Sequence, residues 1–189
     1  MKKTKPNYKW VRNITIIAFM ISLTIGAVTN LFISDLPLFA AFIVLLFVIL
    51  LGITFDILGL AVATCTEVSF HAKLTKGHKE YKEAVNLIRN AEKVSSFCND
   101  VIGDIAGVIS GGLSAAIAVS VCNIFSTINA LAINLTLTAV VACVTVGGKA
   151  LGKNVAIGRN EEIVDKAAKI IYFFKTIFKS ERKKSAKNK

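Results

Sequence analysis

Four long apolar runs dominate the chain, at residues 13–33, 37–55 with an apolar extension to 65, 101–122 and 128–146. Each comes close to the about 20 residues that an α-helix needs to cross a hydrocarbon core roughly 30 Å thick. The pattern predicts four membrane-spanning helices. Ser34-Asp35-Leu36-Pro37 joins the first two as a tight turn, with Asp35 as a helix cap and Pro37 in the first turn that follows. The last two runs are joined by the short, uncharged stretch 123–129.

Two further stretches carry a helical period without being long apolar runs. Ala84, Leu87, Ile88, Ala91, Val94 and Phe97 recur at helical spacing in 81–97, which predicts a helical linker. In 162–178, Ile163, Ala167, Ile170, Phe174 and Ile177 share one face while Lys166, Lys169 and Lys175 lie elsewhere. This suits a juxtamembrane amphipathic helix on the inner leaflet, attracted to anionic lipid, or a helix packed on the cytoplasmic loops. The basic tail 181–189 is expected to be disordered. The expected fold class is therefore all-α: a polytopic membrane protein with four transmembrane helices, a cytoplasmic helical linker and a juxtamembrane helix. Residues 1–35 form an N-terminal segment with an additional span, 36–180 the main domain, and 181–189 the tail.

Charge fixes the orientation. The 189 residues are 54% hydrophobic, with a formal net charge of +11. Such a charge is compatible with nucleic-acid binding, but its distribution excludes that reading. All 23 Lys and Arg lie in Lys2 to Arg12, Lys73 to Lys93 and Lys149 to Lys189, at the ends of apolar runs. A Lys or Arg at the bilayer centre costs about 2.5–3.5 kcal/mol on insertion scales, so this spacing follows from membrane insertion. The positive-inside rule then puts both termini and the 66–99 connection on the cytoplasmic side of the cell membrane. Residues 13–33 are long for a signal-peptide core and no A-x-A site follows, so they are expected to be a retained span. Cys65, Cys98, Cys122 and Cys143 have no metal-ligand spacing and read as small apolar residues.

Acidic residues inside the runs are few. Asp56 lies in the second, and Asp100 and Asp104 at the start of the third. At 1.5 Å per residue, Asp56 and Asp104 fall at about the same depth, near the inner edge of the hydrocarbon. Asp100 and Asp104, four apart, share a helix face. With no Lys or Arg inside the runs, such carboxylates need a cation, a proton or water. Mg²⁺ suits them, with Na⁺ or H⁺ as alternatives, and Asp56, Asp104, Asp100 and Ser110 form the candidate metal site. The bland alternative is that the aspartates face cytoplasmic water at helix ends. Gly103, Gly107, Gly111 and Ala115 make a small-residue stripe that allows another helix to approach closely, with Ser110 and Ser114 beside it. Gly59 and Gly147-Gly148 are expected to act similarly.

Part of the chain resembles a known family. Asn90-Ala-Glu-Lys-Val-Ser-Ser96 leading into Val101-Ile-Gly103-Asp104 is similar to the segment of CNNM/CorB-type magnesium transporters in which an Asn-Pro-Glu-type turn precedes a span opening with Gly-Asn. Gly148-Lys-Ala-Leu-Gly-Lys153 resembles that family's Gly-Glu-x-x-Pro-Lys motif, and Asn160-Glu-Glu-Ile-Val164 the start of its juxtamembrane helix. The resemblance covers residues 36–178. It departs at Asp104 (Asn in the family), Lys149 (Glu) and Gly152 (Pro). Leu58-Gly-Leu-Ala61 stands for a Ser-Gly-Ser-Glu-like break, and no CBS domain is expected within these 189 residues. The resemblance implies a homodimeric divalent-cation transporter, with Lys149 opposing cation binding if it turned inward. The alternative is a non-transporting adaptor or subunit of a larger complex, and a pore-forming or lysis-associated protein is a third reading. No enzyme is expected: His71 and His78 lie in a basic loop without a nucleophile or paired acid, so no catalytic residues are assigned.

Overall fold

The computed structural model describes residues 8–33, 37–74, 80–124 and 129–187, except the side chains at 10, 25, 28–33, 130 and 178–187. Asp35 of the first expected turn, His78, and residues 125–128 of the second turn lie outside the described residues. Those described are almost entirely helical, without a strand: α1 (Tyr8–Ile33), α2 (Leu38–Thr64), α3 (Val68–Leu74), α4 (Tyr81–Arg89), α5 (Ala91–Ser96), a π-helical segment (Phe97–Gly103), α6 (Asp104–Ile124), α7 (Ala130–Gly158) and α8 (Asn160–Lys187).

Among the described residues, three helices are long and apolar enough to cross a membrane: Leu38–Thr64, Ala91–Ile124 and Leu131–Gly158. In α1 the apolar stretch among the described residues is Val11–Thr24. The 34-residue helix Ala91–Ile124 joins α5, the π segment and α6, so the expected linker runs directly into the expected span. The linker is broken at Asn90, whose backbone leaves the helical region (φ −107°, ψ 26°) between α4 and α5. Its amide side chain donates to the carbonyl of Asn86 at 2.9 Å, a local bond that competes with the regular ladder. Helix α8 continues to Lys187, past the point where the sequence predicts order to end.

The chain divides into two compact units. One holds Met1–Ile53 and Asp100–Gly148. Here α2 buries Ala41, Leu45, Ile49 and Ile53, a repeat close to four that puts them on one face. α6 buries Ile105, Ala106, Ser110, Leu113, Ser114, Ile117 and Ala118, and α1 packs against α6. Gly52 permits a close approach: a Cβ there would lie 2.9 Å from the Cβ of Ala106. Gly148 likewise makes room for the side chain of Ile53. The largest side chains point outward, including Phe39, Leu46, Phe47, Leu131, Leu135 and Val146. Hydroxyls bond within their own helices: Thr24 to Met20 O (2.8 Å), Ser114 to Ser110 O (2.8 Å), Thr136 to Ala132 O (2.8 Å) and Thr145 to Val141 O (2.7 Å). Self-satisfied polar groups under an apolar exterior are what a hydrocarbon solvent demands. At the start of α7, Asn129 Oδ1 accepts from the Leu131 amide at 2.9 Å and caps the helix.

The second unit holds Thr54–Asn99 and Lys149–Lys189. Its core gathers Val62, Cys65, Phe70, Tyr81, Ala84, Val85, Val164 and Ala168, from the end of α2, α3, α4 and α8. Phe70 is fully buried and packs on Tyr81 with ring centroids 6.0 Å apart. Lys73 lies over both rings at 5.2 Å. Polar bonds tie the elements together at the surface: Lys175 to Glu83 (2.6 Å), Arg89 to Glu67 (3.1 Å), Ser69 to Glu161 (2.6 Å), and the Asn160 amide to the Thr64 carbonyl (3.0 Å).

Candidate functional site

The candidate residues divide between the units. Asp56 lies on the α2 portion of the second unit and is half-buried. Its Oδ1 accepts from the Lys149 ammonium at 3.2 Å, with the two side chains 28% and 31% exposed. Both sit in helices apolar enough to span a membrane. The expectation that no Lys or Arg reaches the intramembrane carboxylates is therefore corrected for Asp56. Lys149 turns inward across a separation of 93 residues and supplies the positive charge.

Asp100, Asp104 and Ser110 belong to the first unit. Asp100 lies in the π segment and Asp104 opens α6, and both are exposed. Ser110 is 3% exposed and turned into the packed face, where its hydroxyl donates to the Gly107 carbonyl at 3.0 Å. It is thus on a different side of α6 from Asp104. Among the described residues, no three His, Cys, Asp or Glu side chains come together as a metal-binding group.

Within the described residues Gly103 of the glycine stripe is buried, while Gly107 and Gly111 are left open. A Cβ at Gly107 or Gly111 would meet nothing within 4 Å, and both glycines are exposed. The face of α6 that packs is the one carrying Ser110, Leu113, Ser114 and Ile117. Close approach occurs at Gly59 instead, where a Cβ would lie 2.9 Å from Asn99 Cγ and 3.0 Å from Cys98 Cβ.

That contact exposes a residue the motif reading passed over. Asn99 Oδ1 is buried without a hydrogen-bond partner, and its side chain lies against Gly59, three residues after Asp56. A buried amide oxygen without a donor is costly and calls for an explanation. The sequence signal was the adjacent polar pair Asn99-Asp100 at the start of an apolar run. The pair falls in the π segment, and such segments are frequent at functional sites because they interrupt the regular backbone ladder.

Outside the spans, electrostatics are local. Glu67 accepts from His71 Nε2 (2.9 Å) and from Arg89. The His71 bond, then Arg89, holds its carboxyl below the usual range against the opposing effect of desolvation. Burial, followed by the neighbouring Asp165 carboxylate, pushes the Tyr81 phenol up. A 2.8 Å bond to Asp165 raises Lys169. These pairs lie among α3, α4 and α8 of the second unit.

Compared with known proteins, the chain matches no family model, no curated protein and no solved structure.

Proposed function

We propose that the chain is a four-span membrane protein, with both termini in the cytoplasm, that binds and moves a divalent cation of the Mg²⁺ type as a homodimer. α1 is the fourth span, since its 26 residues are long enough to cross hydrocarbon. The observation that carries the reading is the pair of exposed carboxylates, Asp100 and Asp104, on a helix apolar enough to span a membrane. Twenty residues, about 30 Å, separate Asp104 from the end of α6 at Ile124, which sets it at the edge of the hydrocarbon. A carboxylate there needs a counter-ion. Asp56 is a carboxylate of a different kind, because Lys149 already holds it.

The test is Mg²⁺ uptake into proteoliposomes carrying an entrapped indicator. Asp104→Asn and Asp100→Asn together should lower uptake at least about tenfold, as expected when about 1.4 kcal/mol or more of ion stabilisation is lost. Uptake no faster than in protein-free vesicles, or unchanged in the double variant, would overturn the reading.

A second reading, a non-transporting adaptor or subunit of a larger complex, is favoured by the Asp56–Lys149 pair and the open glycine face of α6. Exposed small residues on an apolar helix suit association with another helix. If this reading holds, the proteoliposomes are inert, and Gly107→Leu abolishes a cross-linked assembly in intact membranes while monomer yield stays normal.

A further inference from the structure

Helix α8 carries two apolar faces. Val164 and Ala168 are fully buried in the core of the second unit, where α8 packs on α4. Ile170, Phe173, Phe174 and Ile177 are 57%, 62%, 54% and 41% exposed. At 100° per residue these four fall within about a third of the helix circumference, opposite Val164 and Ala168. A two-sided apolar helix at the surface needs a second occupant.

Charge identifies that occupant. Lys166 is exposed on the outward side. Beyond Ile177 the sequence adds Lys179, Arg182, Lys183, Lys184 and Lys187 against the single acidic Glu181. Large apolar residues combined with an excess of cations match the surface of an anionic bilayer, where rings enter the headgroup boundary and ammonium groups stay among the phosphates. We infer that the outward face of α8 docks on an anionic membrane surface, holding the helical unit against the leaflet. The inference rests on the membrane reading above but not on cation transport.

The test uses the full chain reconstituted in vesicles, with Trp10→Phe as a silent background and one reporter at a time. Phe174→Trp and, as a second reporter, Ile177→Trp should be quenched by lipids brominated near the headgroup. The quenching should fall when phosphatidylglycerol is replaced by phosphatidylcholine or when salt is raised. Phe47→Trp, on the exposed apolar face of α2, should be quenched by deeply brominated lipids in either composition. Quenching of Phe47→Trp without quenching of either α8 reporter overturns the docking inference and leaves the membrane reading standing. Loss of all quenching overturns both. An α8 signal that follows protein density and ignores lipid composition assigns the face to a second copy of the chain, which also overturns the inference.

Discussion

The two units are built from the same secondary structure and differ in where they put their large side chains. In the first, Phe39, Phe47, Leu131 and Leu135 face outward, and small residues such as Gly52, Ala106 and Ser114 pack inside. In the second, Phe70, Val62 and Val164 are fully buried, and charged side chains bridge elements at the surface. Apolar burial stabilises only when the alternative is water. In lipid that driving force between helices vanishes, and close packing of small residues takes over. The difference is the one that the membrane reading proposed above requires, with the first unit in lipid and the second in water.

The sharpest way to break this contrast is to remove one phenyl ring from each unit. Phe70→Ala deletes a fully buried ring and should destabilise the protein by about 3–5 kcal/mol, the range for aromatic truncation in a packed core. Phe47→Ala deletes a ring that is 63% exposed and should change stability by no more than about 0.5 kcal/mol. Equilibrium unfolding in mixed micelles measures both. Equal losses would mean that the second unit has no core of its own in solution.

Glycines sharpen the comparison at smaller amplitude. Gly59→Ala would drive a methyl group into Asn99 and Cys98, at an overpacking cost of about 1–3 kcal/mol. Gly111→Ala meets open space and should stabilise its helix by up to about 1 kcal/mol, because alanine restricts the unfolded chain. Opposite signs in the same unfolding assay are the expected outcome. A loss at Gly111 in detergent-dispersed monomer would show that α6 has a neighbour within this chain on that side.

Much of this contrast is legible in the sequence, and the part that is not has a physical cause. Runs of about 20 apolar residues mark the three described helices long and apolar enough to cross a membrane, because length against bilayer thickness is a one-dimensional property. Periodicity also gave the face of α4, whose Ala84, Leu87 and Ile88 pack in the core. In α8 it marked Ile163, Ala167, Ile170, Phe174 and Ile177, whereas Val164 and Ala168 are the buried residues. It did not say which face finds a partner: the four-residue spacing of Gly107 and Gly111 defines a stripe, yet the packed side of α6 is the neighbouring one. Ion pairing is less legible still. Lys149 reads as the first residue of a basic flank, and only folding brings it to Asp56. Three misreadings have local causes. Asn90 breaks a helix whose apolar period continues unchanged, the π segment leaves no mark on composition, and α8 outlasts its apolar residues.

The ion pair is the next point at which to separate the units. Lys149→Met leaves Asp56 half-buried without its cation. Breaking a fully buried pair costs about 3–5 kcal/mol, and with both groups nearly a third exposed the expected loss is about 1–2 kcal/mol. Lys149→Asp with Asp56→Lys should recover most of it, and a double-mutant cycle measures the coupling. No recovery in the swapped pair would indicate that the two side chains are held by separate neighbours.

The smallest expected effect is a pH dependence confined to the second unit. Tyr81 and Lys169 have folded values above their ordinary 10.0 and 10.5, through burial and Asp165 for the phenol and through Asp165 for the ammonium. A group raised in the folded state binds its proton more tightly there than in the unfolded chain. Its stabilisation is complete below the ordinary value and disappears as pH rises through the folded one. Glu67 is shifted downward, so its contribution is present above the ordinary 4.5 and disappears as pH falls through the lowered value. Unfolding of the second unit, followed by a probe near Phe70, should therefore show a plateau at neutral pH with weakening at both extremes. Tyr81→Phe and Asp165→Asn should flatten the alkaline limb and leave the acid limb in place, whereas Glu67→Gln should do the reverse. A probe in α2 near Leu45 should follow neither limb, because the buried face there carries no titratable side chain among Ala41, Leu45, Ile49 and Ile53.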